Sequence, residues 1–356
     1  MRPSEKEDSE APIDFSQNLN PFVSPINILL FIKDDLEALN TYPEPYGKKV
    51  RQASANFFNI PYDAVAAGVG STQILFNIPQ LISYERAIIP APTFWEYQVL
   101  NERAGKEIHA VPLREENNFD IDFEELEQIV QAGDAVFLCN INNPTSRVVD
   151  HTALLEFIKK HPEIYFIVDE TYLLFAESFD KESLTHHTGE YANLIVIISI
   201  SKFFSIPGVR IGIMIASKEL IKKYYDMVYI PFSLGSVSEK VIPRLFKELS
   251  YIKRSRKFIT EERNRVVQKV ENKLGSRVHM VSPHGNFILM KVQTGQTDKQ
   301  IASMLLERDI IIRIGSEISL SESWLRFCIH TKKNNDYLLK ILDEILINEN
   351  EDGAIK

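Results

Sequence analysis

Residues 194–212 read LIVIISISKFFSIPGVRIG, and this stretch decides how the rest of the chain is interpreted. The apolar run Leu194–Ile198 predicts a short buried strand. Lys202 follows it, the pair Pro207-Gly208 breaks the chain, and Arg210 precedes a second apolar run. A lysine is usually solvated. Between two buried strands, however, we expect the Lys202 amine in a partly dry site, where desolvation lowers its pKa and makes it a nucleophile toward carbonyls.

Length and composition predict an ordinary globular chain. It has 356 residues, which suggests about two domains, and 44% of them are hydrophobic and 25% charged. The net charge is −9 without a basic run, so no nucleic-acid partner is expected. No apolar run approaches the roughly 20 residues that span a membrane, and the polar N-terminus does not resemble a signal peptide. We therefore expect a cytoplasmic protein in which Cys139 and Cys328 are buried, reduced thiols.

Short apolar runs alternate with amphipathic stretches through the middle of the chain. The runs are at 64–69, 87–89, 108–111, 135–139, 165–168, 194–198 and 211–215, and helices are predicted at 48–58, 72–82, 94–103, 123–131 and 152–160. This alternation predicts an α/β fold with a mostly parallel sheet between helices. Ligands bind such sheets beyond the carboxyl ends of the strands, so residues directly after the runs are the candidates for chemistry.

The flanking regions predict a second, smaller α+β unit. Ser24-Pro25 predicts a helix from there to about residue 39. One long helix is predicted over 236–274, followed by strands at 278–281, 287–292, 310–313 and 324–329, with helices at 299–308 and up to 347. We therefore predict a large domain over 46–235 and a small domain over 236–356, which the N-terminal segment 1–45 joins.

Four strand ends carry candidate motifs. Gly70-Ser71-Thr72 opens a helix, where backbone N–H groups and hydroxyls bind anions. The others are Phe94, Asn143 before Pro144, and the pair Asp169 and Tyr172. Each alone is equally typical of a turn, a core contact or a solvated acid. Their order along the chain, ending in Ser199, Ser201, Lys202 and Arg210, is the specific signal.

This order resembles the fold-type I enzymes that use pyridoxal 5′-phosphate (PLP). The resemblance implies three catalytic residues: Lys202 bonds the cofactor aldehyde, Asp169 keeps the pyridine nitrogen protonated so that the ring is an electron sink, and Tyr172 bonds the ring oxygen. It also implies that Phe94 covers the ring and Asn143 bonds its oxygen. The implied phosphate ligands are Gly70, Ser71, Thr72, Ser199, Ser201 and Arg210. A homodimer is implied as well, in which Tyr42 reaches the neighbouring subunit's cofactor phosphate.

Within these enzymes the chain is similar to the histidinol-phosphate aminotransferase branch, and in it to the L-threonine O-3-phosphate decarboxylases of cobalamin biosynthesis. The stretch DFSQNLNP at 14–21 carries this similarity, together with Lys202-Phe203 and Ile206-Pro207-Gly208. The resemblance implies that Arg313 and Arg326 bind the substrate's phosphate and carboxylate and that Asn20 lies nearest to the reacting carbon. The chain departs from the decarboxylases in lacking their N-terminal His-Gly-Gly stretch, and Tyr172 is more like the aminotransferases.

Three functions are compatible with these motifs. The first is decarboxylation of phosphothreonine or phosphoserine to an aminoalkyl phosphate, and the alternative is transamination of histidinol phosphate or a related amino acid. A non-catalytic relative is the third, which the presence of Lys202, Asp169 and Arg210 opposes. No metal is expected, because the adjacent His186 and His187 are not spaced as ligands on one face.

Overall fold

The computed structural model describes residues 11–22, 33 and 36–346. In this part of the chain the strands are β1 Ile13–Asp14, β2 Val65–Gly68, β3 Arg86–Ala91, β4 Glu107–Pro112, β5 Ala135–Cys139, β6 Tyr165–Asp169, β7 Leu194–Ile198, β8 Gly212–Ile215, β9 Val278–Met280, β10 Phe287–Val292, β11 Ile310–Ile311, β12 Arg313–Ile314 and β13 Trp324–Cys328. The α-helices are α1 Lys48–Phe58, α2 Gly70–Leu81, α3 Glu96–Arg103, α4 Phe123–Ile129, α5 His151–Lys160, α6 Phe179–Glu182, α7 Ile200–Phe203, α8 Lys218–Met227, α9 Ser236–Leu245, α10 Leu249–Leu274, α11 Asp298–Leu306 and α12 Lys332–Ile345.

A seven-stranded sheet in the order β2-β8-β7-β6-β5-β3-β4 forms the centre of the molecule. Strands β3 to β7 pair in parallel, whereas β8 is antiparallel to both of its neighbours. Every residue of β5 and β7 is buried, and each fully buried aliphatic side chain contributes about 1.5–3 kcal/mol. The predicted α/β fold with a mostly parallel sheet is therefore confirmed.

The antiparallel strand β8 brings distant parts of the chain to one edge of the sheet. Gly68, at the carboxyl end of β2, pairs with Gly212, at the start of β8. The carboxyl end of β7 lies at the same edge, because β7 also runs opposite to β8. Residues directly after β2 and β7 and directly before β8 therefore meet, and these include Lys202 and Arg210.

Two smaller sheets are built from the C-terminal part of the chain and the N-terminal strand β1. One is antiparallel in the order β12-β13-β10-β9, and the other pairs β1 with β11 in parallel. The N-terminal strand is held by bonds of 2.7 Å from the Ile13 nitrogen to the Asp309 carbonyl and 2.8 Å from the Phe15 nitrogen to the Ile311 carbonyl. The residues after β1 are thereby fixed beside the four-stranded antiparallel sheet. The domain boundaries at 45 and 235 stay predictions.

The helix predictions need two corrections. The single helix predicted over 236–274 is wrong: α9 ends at Leu245, and α10 begins at Leu249. Phe246, in the break, stacks on Phe57 at 4.5 Å, a tertiary contact that periodicity cannot reveal. Helix α8 was not predicted, although Leu220, Ile221 and Tyr224 form its buried face. Most of the helix predicted over 24–39 lies outside the described residues, and Leu36–Asn40 form a 3-10 helix.

The two cysteines are free and buried, as predicted, and burial raises the pKa of each thiol to about 12. Within the described ranges, no helix combines the length and the apolar character needed to cross a membrane.

Candidate active site

Lys202 lies on the four-residue helix α7, directly after β7. Its side chain is partly buried, and its Nζ donates a hydrogen bond of 3.1 Å to the backbone carbonyl of Gln17. Burial lowers the pKa of the amine, and the charges of Arg326, Arg210 and Arg313 lower it further. A larger fraction of the amine is therefore neutral than in an exposed lysine, as nucleophilic attack on a carbonyl requires.

Asp169 ends β6 and is 5% exposed. Its Oδ1 accepts from the Thr171 backbone N–H at 2.9 Å, and its Oδ2 accepts from the Tyr97 hydroxyl at 3.3 Å. Burial raises the pKa of this carboxyl, and the hydrogen bonds from Thr171 and Tyr97 offset part of the rise. A cationic ligand group beside Asp169 would stabilise its charged form.

The N-terminus of α2 faces Arg210 across two glycines. Gly70 has a φ of +78°, and a Cβ there would lie 2.7 Å from Arg210 Nη2. A Cβ on Gly212 would lie 2.3 Å from the Ser71 backbone nitrogen. The glycines therefore let the arginine and the first N–H groups of α2 approach one another. This combination of a helix N-terminus and a guanidinium binds anions such as phosphate.

Phe94, Asn143 and Tyr172 supply an aromatic face and two polar groups. Phe94 packs edge-on against Tyr97 at 5.6 Å. Asn143 Oδ1 accepts from Arg326, which leaves the amide N–H groups of Asn143 to donate. The Tyr172 hydroxyl accepts from the Asn18 amide at 3.3 Å, and burial raises its pKa to about 12. Tyr172 is therefore protonated at neutral pH and can donate.

Arg313 and Arg326 are direct cross-strand partners on β12 and β13. Arg326 is 5% exposed and donates to Asn143 Oδ1 and, at 2.5 Å, to the Ser16 carbonyl. Its Nε is buried with no hydrogen-bond partner in the described part of the chain. The Arg313 side chain is 43% exposed and pairs with Glu317 at 3.3 Å. A bound anion would satisfy the free N–H of Arg326.

One cavity of about 550 Å³ brings together all the predicted site residues except two. Its lining includes Gly70, Ser71, Thr72, Phe94, Asn143, Asp169, Tyr172, Ser199, Ser201, Lys202, Arg210, Arg313 and Arg326. A larger depression of about 1530 Å³ lies apart, along α1, α9 and α10, and the described residues that line it include none of these.

Tyr42 and Asn20 are the two exceptions. Tyr42 is 89% exposed, and its ring contacts that of Phe232 at 5.8 Å, away from the cavity of this chain. Asn20 is 2% exposed, and its side-chain amide donates to the Phe203 carbonyl at 2.8 Å and to the Tyr251 hydroxyl at 2.9 Å. Asn20 therefore does not line the cavity in this structure, and its place nearest to the reacting carbon stays a prediction.

Several residues that line the cavity were not predicted: Ser16, Gln17, Asn18, Glu96, Cys139, Thr171 and Glu317. Glu96 begins α3, and its Oε2 is buried without a partner. Burial raises the pKa of Glu96, while a hydrogen bond with Thr72 lowers it. Glu96 lies two residues after the predicted site residue Phe94, and this proximity is the sequence signal that could have identified it. His186 and His187 lie in the 3-10 segment Leu184–His187, and no group of potential metal ligands occurs among the described residues.

Comparison with known proteins agrees with this geometry. A family model described as aminotransferase class I and II matches residues 10–342. The histidinol-phosphate aminotransferase of Caldanaerobacter subterraneus subsp. tengcongensis is 30% identical over 336 residues, which are 92% of each chain.

Solved structures show the same fold. The L-threonine-O-3-phosphate decarboxylase from Porphyromonas gingivalis matches with a TM-score of 0.82 at 22% identity, over 94% of this chain and 99% of that one. The histidinol-phosphate aminotransferase from Sinorhizobium meliloti, in complex with pyridoxal-5′-phosphate, matches with a TM-score of 0.83 at 18% identity, over 95% and 91%.

The molecule therefore has the fold of the fold-type I PLP-dependent enzymes, as predicted. The chain belongs to the class I and II aminotransferase family, in the branch with histidinol-phosphate aminotransferases and threonine-phosphate decarboxylases, and its cofactor is PLP.

The residues of the cavity fit this cofactor. Asp169 is a buried carboxyl that needs a cation, and the pyridinium nitrogen of PLP is one. The close approach at Gly70 leaves backbone N–H groups and Arg210 for a phosphate. The lowered pKa of Lys202 favours the neutral amine, which is the form that can bond the aldehyde.

Proposed function

We propose that this enzyme is a decarboxylase of an O-phosphorylated amino acid, phosphothreonine or phosphoserine, whose product is an aminoalkyl phosphate for the cobalamin nucleotide loop. The observation that carries the proposal is the position of residues 14–21, the stretch that resembles the decarboxylases. In this segment the Gln17 carbonyl accepts from Lys202 Nζ, and the Ser16 carbonyl accepts from Arg326. The stretch that resembles the decarboxylases thus contacts the groups assigned to cofactor and substrate.

The cofactor roles in this proposal are those that the resemblance implies, and the contacts of each side chain support them. Lys202 would bond the aldehyde, Asp169 would hold the ring nitrogen protonated, and Phe94 would pack on the ring. The Asn143 amide and the Tyr172 hydroxyl donate to the ring oxygen, since both have protons available there. The phosphate ligands are Gly70, Ser71, Thr72, Ser199, Ser201 and Arg210.

The substrate roles fall on the two arginines. We assign the substrate carboxylate to Arg326, because its buried guanidinium already contacts Asn143 and the N-terminal segment. We assign the substrate phosphate to Arg313, which is more exposed and can leave its exposed partner Glu317. A planar guanidinium can hold either anion with two hydrogen bonds.

Which bond of the substrate breaks depends on how Arg313 and Arg326 orient the substrate. When bound, PLP would supply an electron sink for the bond that breaks at the α-carbon. Arg326 would orient the carboxylate so that the bond from the α-carbon to the carboxylate is the one that breaks, and CO₂ would leave. The α-carbon would then need a proton, and we assign its delivery to Lys202 Nζ in its ammonium form, which would take that proton from the substrate's ammonium group.

The second candidate is transamination of histidinol phosphate or a related amino acid. It is favoured by the 30% identity to a histidinol-phosphate aminotransferase over almost the whole chain. Tyr172 also matches the aminotransferases. Histidinol phosphate has no carboxylate, so its phosphate would be the anion that the arginines hold, and the α-hydrogen would leave in place of CO₂.

One experiment separates the two candidates. Purified enzyme with PLP and no keto acid is incubated with carboxyl-labelled phosphothreonine or phosphoserine, and the released gas is trapped. Labelled CO₂ and an equal amount of aminoalkyl phosphate are expected. No CO₂ from either compound, together with glutamate formed from 2-oxoglutarate and histidinol phosphate, would establish the aminotransferase instead.

We also propose that the active enzyme is a homodimer. Tyr42 is too far from the cavity of its own chain to line it, and its exposed ring lies beside exposed Phe232. Exposed apolar surface of this kind is typical of protein contacts. A second subunit would bring Tyr42 to the neighbouring cofactor phosphate.

A further inference from the structure

The helix that carries Lys202 is very short, so its carbonyl groups need partners from outside. The last carbonyls of any helix have no partner within it, and α7 has only four residues. The Lys202 carbonyl accepts from the Asn20 backbone nitrogen at 3.1 Å, and the Phe203 carbonyl accepts from the Asn20 side chain at 2.8 Å. Asn20 therefore binds two consecutive carbonyls at the end of α7.

Asn20 is itself fixed by its surroundings. Its Nδ2 also donates to the Tyr251 hydroxyl at 2.9 Å, and its Oδ1 accepts from the Phe22 backbone nitrogen at 3.0 Å. The Tyr251 hydroxyl lies 3.3 Å from the Phe203 carbonyl, so the three residues form one buried network. Both amide protons of Asn20 and its acceptor oxygen are used, which leaves none of its side-chain hydrogens for a substrate.

The same N-terminal segment also contacts the lysine side chain. Gln17, three residues before Asn20, accepts a hydrogen bond of 3.1 Å from Lys202 Nζ through its backbone carbonyl. One short segment therefore holds Lys202 at two points: its backbone through Asn20 and its amine through Gln17. A shift of the end of α7 would move the amine relative to the Gln17 carbonyl and Arg326.

We infer that Asn20 is a positioning residue, which fixes helix α7 so that the Lys202 amine keeps its orientation toward the cofactor aldehyde. The inference rests on the assignment of Lys202 in the proposed function. It applies equally to decarboxylation and transamination, because both begin at the same lysine. A purely structural asparagine would instead affect stability alone.

The test compares Asn20→Asp with a matched change elsewhere in the chain. Asn193 is also buried, and its Nδ2 donates to two carbonyls, of His161 at 3.0 Å and Ile164 at 2.8 Å, outside the cavity. Asn193→Asp thus imposes the same chemical change on a purely structural network. Tyr251→Phe is a milder second variant that removes one hydroxyl from the network at Phe203.

The measurements are thermal stability, the pH titration of the visible absorbance of the cofactor bound to Lys202, and steady-state kinetics. Both asparagine variants should lose stability. Only Asn20→Asp should shift the titration midpoint, by about one unit, since this midpoint reports the environment of the lysine nitrogen. Misplacement of the reacting group should also lower kcat about 10- to 100-fold with little change in KM. Tyr251→Phe should shift the titration midpoint and lower kcat in the same directions as Asn20→Asp, but by smaller amounts.

Two results would overturn the inference, and they differ from one another. If borohydride labels Lys202 in the unchanged enzyme but the Asn20 and Tyr251 variants titrate and turn over like Asn193→Asp, only the positioning role fails. If borohydride does not label Lys202 in the unchanged enzyme, the assignment of Lys202 fails and the inference fails with it.

Discussion

Burial moves the pKa values of Lys202 and Asp169 in opposite directions for one physical reason. In a dry site the charged form of each group loses hydration, so the amine releases its proton more easily and the carboxyl holds its proton more tightly. A cationic ring nitrogen beside Asp169 would reverse the effect there, whereas the lowered pKa of Lys202 favours the neutral form that can bond an aldehyde. The lowered pKa of Lys202 suits the proposed bond to the aldehyde of PLP, and the buried Asp169 carboxyl suits the proposed contact with the ring nitrogen.

The first prediction at this scale concerns Lys202. Lys202→Ala should still bind PLP through the phosphate ligands but should lose turnover, because no amine is left to bond the aldehyde. Borohydride reduction of the unchanged enzyme followed by peptide mass spectrometry should find the pyridoxyl group on Lys202. A label on another lysine would contradict the assignment.

The second prediction concerns the two arginines. Arg313→Ala and Arg326→Ala should each raise KM at least about tenfold while PLP stays bound, since each removes a charge-assisted hydrogen bond. Arg308→Ala is the control, because Arg308 lies outside the cavity and pairs with Glu344 at the surface. Unchanged KM in both cavity variants would refute the substrate roles.

At the scale of elements, the sequence predicts those strands and helices whose formation depends on a local pattern of residues. Each of the seven predicted apolar runs became a strand of the central sheet, because a buried strand needs an apolar run whatever surrounds it. At the break between α9 and α10, Phe246 stacks on the distant Phe57, and the bonds of Asn20 depend on a helix some 180 residues further along the chain. Contacts between distant residues leave no local pattern.

The third prediction concerns the segment that connects β6 to β7, in which a buried carboxyl accepts two hydrogen bonds. Glu170 is fully buried and accepts from Ser183 Oγ at 2.5 Å and from the Leu184 backbone nitrogen at 2.7 Å. Burial raises its pKa from 4.5 to about 7. The protonated form is therefore favoured by folding, and this stabilisation is complete below pH 4.5 and is lost as the pH rises through about 7.

Glu170→Gln should accordingly resemble the unchanged protein at low pH and be more stable above neutral pH, by about 3 kcal/mol at most. Denaturant unfolding at several pH values between 4 and 9 measures the difference. A difference that does not change with pH would show that folding does not shift the pKa of Glu170, and one that favours glutamate at high pH would show that the folded state prefers the carboxylate.

At the scale of the whole molecule, the proposed homodimer gives each cavity residues from two chains. Met227, Ile230 and Phe232 are exposed large apolar residues, each at least 50% exposed, and Tyr42 contacts Phe232. A partner that covers this surface would bury apolar area and bring Tyr42 to its site.

The fourth prediction tests this sharing by mixing subunits. Tyr42→Ala and Lys202→Ala should each be poorly active alone. Subunits of the two variants that are unfolded and refolded together should regain activity, because one cavity of the mixed dimer then has both Lys202 and the partner's tyrosine. No recovery in dimers that native mass spectrometry confirms as mixed would place Tyr42 outside the neighbouring cavity.

The pairing of β2 with β8 also has a consequence for synthesis on the ribosome. Val65 pairs with Ile215, so the two parts of the proposed phosphate site are joined by strands that are far apart along the chain. A nascent chain that has emerged only as far as helix α2, Gly70–Leu81, contains the helix N-terminus of this site but not Arg210. The anion-binding edge cannot assemble until residue 215 has left the exit tunnel, so PLP can be captured only after most of the central sheet has been translated.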